Sequence, residues 1–113
     1  MDSKNSNSIK VTDFIANALV HHGIRHIFML TGGGAMHLND SLGKHPALQV
    51  IFNHHEQASA MAAESYARLT NHMAVVNVTT GPGGIIAFNG VFGAWTDSIP
   101  MLIISGQVSY STT

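Results

Sequence analysis

At 113 residues the chain is shorter than a typical domain, which excludes a two-domain enzyme within this polypeptide alone. Its 45% hydrophobic content is enough for a packed core, while its 10% charged content falls well below the roughly 25% usual in soluble domains. So few charges predict a surface partly covered by other protein. A net charge of −1 gives no electrostatic footprint for nucleic acid or an anionic membrane, and zero cysteines exclude a disulfide framework or a thiolate nucleophile. No apolar run approaches the ~18 residues a membrane span needs, and the opening MDSKNSNS lacks a signal peptide's apolar stretch, so a cytoplasmic protein is expected.

Residues 1–10 read as a disordered polar tail and 11–113 as one partial domain. Val11, Phe14, Ile15, Ala18 and Leu19 recur at helical spacing, with Thr12 as the N-cap and Gly23 as the stop. The apolar run Ile24–Leu30 predicts a strand entering a glycine turn. Ala35–Leu42 predicts a short helix ended by Gly43, and Leu48–Phe52 a second strand. The strongest helix is Glu56–Leu69, rich in alanine, with Glu64 and Arg68 paired at i,i+4. Ala74–Val78 is a third strand, stopped by TTGPGG; Ile85–Trp95 is weakly helical because Gly90 and Gly93 interrupt it; Met101–Ile104 is a fourth strand.

Strands alternating with helices, and apolar throughout rather than at every second residue, predict an α/β fold: a doubly wound parallel sheet with helices on both faces. Such a sheet usually continues beyond four strands, so the chain reads as the front part of something longer. Ligands in this architecture bind at the carboxyl ends of the strands. The loops expected there are Thr31–Gly34, Asn53–Glu56, Thr79–Gly84 and Ser105–Gln107. A dinucleotide fingerprint fails in both glycine loops, because His37 and Ile86 stand where its third glycine belongs, and neither loop continues into GK[ST]. Eight histidines raise the question of a metal, yet no HExxH occurs and the adjacent pairs His21-His22 and His54-His55 have diverging side chains, so none is assigned. Glu56 has an ordinary role open to it, as an acid in a helix's first turn worth about 0.3–1 kcal/mol.

Four motifs in order, GGGAM (Gly32–Met36), HEQ followed by the alanine-rich helix to YAR (His55–Arg68), TTGPGG (Thr79–Gly84) and DSIPMLIISGQV (Asp97–Val108), give the segment its character. Together they resemble the N-terminal, pyrimidine-binding domain of thiamine-diphosphate-dependent enzymes, with the acetolactate synthase branch the nearest. The resemblance implies a truncated thiamine-diphosphate-binding fold, with cofactor held between this domain and a diphosphate-binding domain that supplies Mg²⁺ through a GDG…N motif. GDG is absent here, so the chain is not expected to be catalytic alone.

The resemblance further implies that Glu56 is the catalytic glutamate, bonded to the ring nitrogen N1′ and promoting proton loss from the thiazolium C2. It places Gly32, Gly33, Thr80, Pro82 and Gly83 beside the aminopyrimidine, and Gln107 and His55 near a 2-oxo acid substrate. A carboxyl in that role has to be desolvated, which points to an apolar subunit interface and a homo-oligomer. Ile86 departs from the family's usual asparagine and Gly32 from a common proline; flavin (FAD) content is left open. From a different class, a free-standing non-catalytic module that associates through its apolar face also fits the composition.

Overall fold

The computed structural model describes residues 7–112, so residues 1–6 of the expected polar tail lie outside the described residues. Residues 7–10 form no helix or strand and are exposed. Nine elements of regular structure follow: α1 (Val11–His21), β1 (His26–Met29), α2 (Met36–Lys44), β2 (Gln49–Phe52), α3 (Glu56–Thr70), β3 (Ala74–Val78), α4 (Pro82–Ile86), α5 (Phe88–Thr96) and β4 (Met101–Ser105). Short 3₁₀ turns lie at Gly33–Ala35 and Tyr110–Thr112. Among the described residues no helix is long and apolar enough to cross a membrane.

All four strands are parallel, in the order β2-β1-β3-β4. Helices cover both faces, as the doubly wound pattern predicts. On one face Ala16 and Leu19 of α1 and Leu42 of α2 pack with Ile27, Met29 and Val75. On the other Ala60, Ala63 and Ala67 of α3 pack with Phe28, Val76 and Val78. The alternation of strand residues between these two clusters explains the absence of a polar face: each side chain meets a helix, whichever way it points. The central strand β3 is buried at every position.

The small residues of α3 serve this internal packing. A Cβ on Gly90 of α5 would come within 2.5 Å of the Ala60 Cβ and 2.6 Å of the Ala60 carbonyl carbon, so α3 and α5 cross almost backbone to backbone. The Glu64–Arg68 pair forms and extends further: Arg68 Nη2 lies 2.6 Å from Glu64 Oε1 and 2.6 Å from Asp97 Oδ2, tying α3 to the end of α5.

Three local expectations are corrected. Lys10, not Thr12, occupies the N-cap of α1; Thr12 is the second residue of the helix, where its hydroxyl meets Ser41 Oγ of α2 at 2.7 Å. Gly43 does not end α2, which runs on to Lys44, whose ammonium pairs with Asp40 at 2.6 Å. The weak helix expected over 85–95 starts earlier, at Pro82, and is two helices. Proline at N1 lacks the N–H that a helix start leaves unbonded, so it begins α4 despite the glycines that dilute the pattern. Gly23 does stop α1, with φ of 85°.

Candidate functional site

The strand order puts β2 on one side of β1 and β3 on the other, so the chain reverses its direction of winding between β1 and β3. A crevice opens there at the carboxyl ends, between the loops that leave the two strands. The structure fills it with Thr31–Ala35 from β1 and Thr79–Gly84 from β3, and Thr79 is the post between them. Gly34 N–H donates to Thr79 Oγ1 at 3.1 Å. A Cβ on Gly32 would fall 2.5 Å from Thr79 Cβ, and one on Gly83 would fall 2.8 Å from Thr79 Cγ2, so both loops close onto this side chain only as glycine. Gly81 makes the turn at φ 67° and ψ −128°, a conformation open to glycine and strained in other residues.

Glu56 is the first residue of α3 and is half-buried. A Cβ built on Gly83 would stand 3.1 Å from Glu56 Oε1 and 3.7 Å from its Cδ, so the carboxyl lies directly against the Pro82-Gly83 bend. The turn carrying it is held from both sides. His55 is the N-cap, its Nδ1 accepting the Gln57 N–H at 3.2 Å, which leaves the ring proton on Nε2 when the imidazole is neutral. Buried Ser59 donates to Asn53 Oδ1 at 3.1 Å, and Asn53 N–H reaches back to the Met29 carbonyl of β1 at 3.1 Å. The first turn of α3 is therefore referenced to the sheet itself.

Gln107 reaches the crevice through its backbone. Its N–H donates to the Gly34 carbonyl at 3.0 Å, and Gly106 N–H donates to Val78 O at 2.9 Å, so the segment after β4 is strapped over the first loop. Thr80 Oγ1 and Gln107 Oε1 are 3.5 Å apart. Gly106 sits on the backbone of Gly34 and Ala35 with no space for a side chain.

The expected site residues divide into two groups. Glu56, Gly83 and Gly32 converge around Thr79, with Pro82 opening the same helix as Gly83 and Thr80 following in sequence. Gly33 and Gln107 line a recess of about 720 Å³ with Met36, His37, Ile15 and Val108. His55 lines no part of that recess and is exposed. A smaller recess of about 330 Å³ lies over Gly32, Gly33, Met36 and Asn39. Thr79 itself, Gly34 and Gly106 escape a reading by motif roles, although the paired threonines after an apolar strand were the signal for the first. No group of three or more histidine, aspartate or glutamate side chains among the described residues could hold a metal ion.

Comparison with known proteins agrees with this geometry. The family model described as "Thiamine pyrophosphate enzyme, N-terminal TPP binding domain" matches residues 9–113. The chain is 41% identical over 99 residues, 88% of its length, to the acetolactate synthase large subunit of Buchnera aphidicola subsp. Schizaphis graminum. It is 38% identical over 102 residues to acetolactate synthase 2, chloroplastic, of Zea mays, and 34% identical over 99 residues to the acetolactate synthase isozyme 3 large subunit of Escherichia coli K12, in each case over 88% of this chain. These matches occupy 17%, 16% and 17% of the respective relatives, so the chain spans about a sixth of their length. A parallel sheet with its crevice at the β1/β3 reversal, a carboxyl against the proline-glycine bend and the family match over 9–113 lead to one assignment: the chain belongs to the N-terminal domain family of thiamine pyrophosphate enzymes.

Proposed function

We propose that residues 11–113 are the pyrimidine-binding part of a thiamine-diphosphate-dependent enzyme acting on 2-oxo acids in the manner of acetolactate synthase. The observation that carries this reading is the Glu56 carboxyl lying against Gly83, at the carboxyl edge of the sheet. The residues present fit an aminopyrimidine ring. A flat heterocycle needs close backbone and one carboxyl at its edge, and Gly33 offers a backbone that opens onto free space where its Cβ would be. Thiamine diphosphate, when bound, would supply an acidic carbon able to serve as a nucleophile towards a carbonyl group. Glu56 would hold the hydrogen bond to the ring nitrogen that favours loss of that carbon's proton, while Gly32, Gly33, Thr80, Pro82 and Gly83 would shape the ring's seat. Gln107 and His55 stand towards the substrate side. His55, as the N-cap, keeps the Glu56 backbone turn in register.

The cofactor's diphosphate and Mg²⁺ require a further domain, and the chain acts only when that domain is present. An assembly of two or more copies is supported by an apolar row along α4 and α5. Ile85, Phe88, Phe92 and Trp95 are 69, 62, 72 and 83% exposed. The spacing of Phe88, Phe92 and Trp95 puts these three on one face of α5, and exposed aromatic surface of that kind is a usual mark of a protein contact. The test is domain replacement: residues 9–113 substituted for the corresponding segment of the Escherichia coli large subunit. Consumption of a 2-oxo acid that depends on thiamine diphosphate and is lost in Glu56→Gln supports the reading. A folded, assembled chimera that binds no thiamine diphosphate contradicts it.

A further inference from the structure

Strand β3 reads AVVNV, and its fourth residue is out of character. Asn77 is 0% exposed, on the sheet face shared with Val75, and it pairs in register with Met29 and Ile104. An amide taken from water into such surroundings destabilises the fold unless its hydrogen bonds are replaced. Only one side of Asn77 is matched. Its Nδ2 donates to Asn39 Oδ1 of α2 at 2.8 Å, while Asn77 Oδ1 is buried without a hydrogen-bond partner among the described residues. Asn39 passes the link on: its Nδ2 donates to the Gly32 carbonyl at 3.3 Å. That oxygen also accepts the Ala35 N–H at 3.0 Å, closing the 3₁₀ turn of the first glycine loop.

Two amide side chains thus connect the central strand to Gly32 through α2. Leucine has nearly the shape of asparagine, and leucine at both positions would fill the space with no polar group to desolvate. The pair is therefore a poor device for stability and a good one for direction, since a hydrogen bond fixes an orientation that apolar packing leaves free.

We propose that Asn39 and Asn77 are positioning residues that hold the first glycine loop against Thr79, and so set its spacing from Glu56 and Gly83. The functional half of this proposal rests on the reading that the loop borders the aminopyrimidine. Neither side chain needs to touch cofactor or substrate for this role; each acts through the Gly32 carbonyl.

The test uses Asn39→Leu, Asn77→Leu and the double variant in the 113-residue chain, followed by hydrogen exchange at single amides and by thermal unfolding. The expected result is a double variant with an unchanged or raised unfolding midpoint, amides of Gly34 and Ala35 exchanging at least tenfold faster, and β3 amides exchanging as before. Loop amides that keep the parent rate overturn the proposal, as does a loop acceleration matched by the same factor in β3. Should Asn77→Leu fail to fold, Asn39→Leu is judged by exchange alone, Gly34 and Ala35 amides accelerating at least tenfold more than β3 amides, because this variant strands the buried Asn77 Nδ2 and lowers the unfolding midpoint. A second arm measures thiamine diphosphate binding in the assembled protein. The double variant is expected to bind at least tenfold more weakly than the parent, and equal affinity overturns the functional half. A parent that binds none refutes the cofactor reading and leaves the exchange result to decide the positioning role.

Discussion

Gly83→Ala sets helix propensity against packing at the Pro82-Gly83 bend. Gly83 lies in the first turn of α4 in an ordinary helical conformation, so helix propensity alone favours alanine by about 1 kcal/mol. The added methyl, however, would meet Thr79 Cγ2 at 2.8 Å and Glu56 Oε1 at 3.1 Å. Overpacking of this kind costs about 1–3 kcal/mol, which leaves a net destabilisation of up to about 2 kcal/mol. For a domain near 100 residues each 1 kcal/mol lowers the unfolding midpoint by roughly 4–8 °C. Gly84 next door is the control. Its methyl would meet Ser105 Oγ at 3.3 Å, a hydroxyl that can swing away, so Gly84→Ala is expected to be neutral or stabilising by up to about 1 kcal/mol. Thr79→Ser removes Cγ2 but keeps the hydroxyl that accepts from Gly34, and in the Gly83→Ala background it is expected to recover part of the loss. Thermal unfolding of these three variants beside the parent decides the matter. Gly83→Ala as stable as Gly84→Ala, or a double variant no better than Gly83→Ala, refutes the claim that Thr79 and Glu56 crowd the bend.

Helix packing and surface ion pairs set three other outcomes. Gly90→Ala drives a methyl into the Ala60 carbonyl carbon and oxygen, which cannot rotate aside, so a loss of about 3 kcal/mol is expected, and Ala60→Gly should fail to restore it in urea unfolding. Arg68→Ala releases Glu64 and Asp97 together; these carboxylates, Glu64 first, hold the guanidinium pKa above its ordinary value. Its stability deficit should shrink in 1 M salt, where exposed ion pairs are screened, and a deficit indifferent to salt would point to lost packing. Asp40 is held below the usual carboxylate range by hydrogen bonds from Lys44 and then Lys10. A depressed carboxyl pKa adds stability that is present above about pH 4 and disappears as pH falls through the folded-state value. The gap between parent and Asp40→Asn should therefore close on acidification below pH 4, and a gap that widens would reverse the sign of the argument.

Local patterns were legible where burial is uniform. The run Ala74–Val78 is a strand at the residues expected, because a strand covered on both faces must be apolar throughout. The predicted Ile24–Leu30 strand is trimmed to His26–Met29. Ile24 is taken by the end of α1, its N–H bonded to Leu19 O at 3.0 Å, and the Arg25 guanidinium caps the Ile24 and Val20 carbonyls. The composition of α4 concealed a helix, since two glycines and a proline argue against one until the turn at Gly81 is known.

The site was legible in part for a related reason. Glu56 and the Pro82-Gly83 bend stand out by motif, and the structure does bring them together. What a motif cannot display is the residue that organises its neighbours from a distance in sequence. Thr79 touches loops from two strands, and Asn77 meets Asn39 across 38 residues. In the sequence each is a threonine among threonines or a lone amide in an apolar run. Their roles exist only once β1 and β3 lie side by side.

The Glu56 carboxyl, set against Gly83, is proposed to promote proton loss at C2 of thiamine diphosphate. Deuterium exchange at that carbon, followed by NMR in the protein assembled with its diphosphate-binding part, measures this step apart from substrate turnover. The account predicts exchange in the parent far faster than in free cofactor, and slower by about 10²–10⁴-fold in Glu56→Gln at unchanged cofactor occupancy. Equal exchange rates in parent and Glu56→Gln would contradict it.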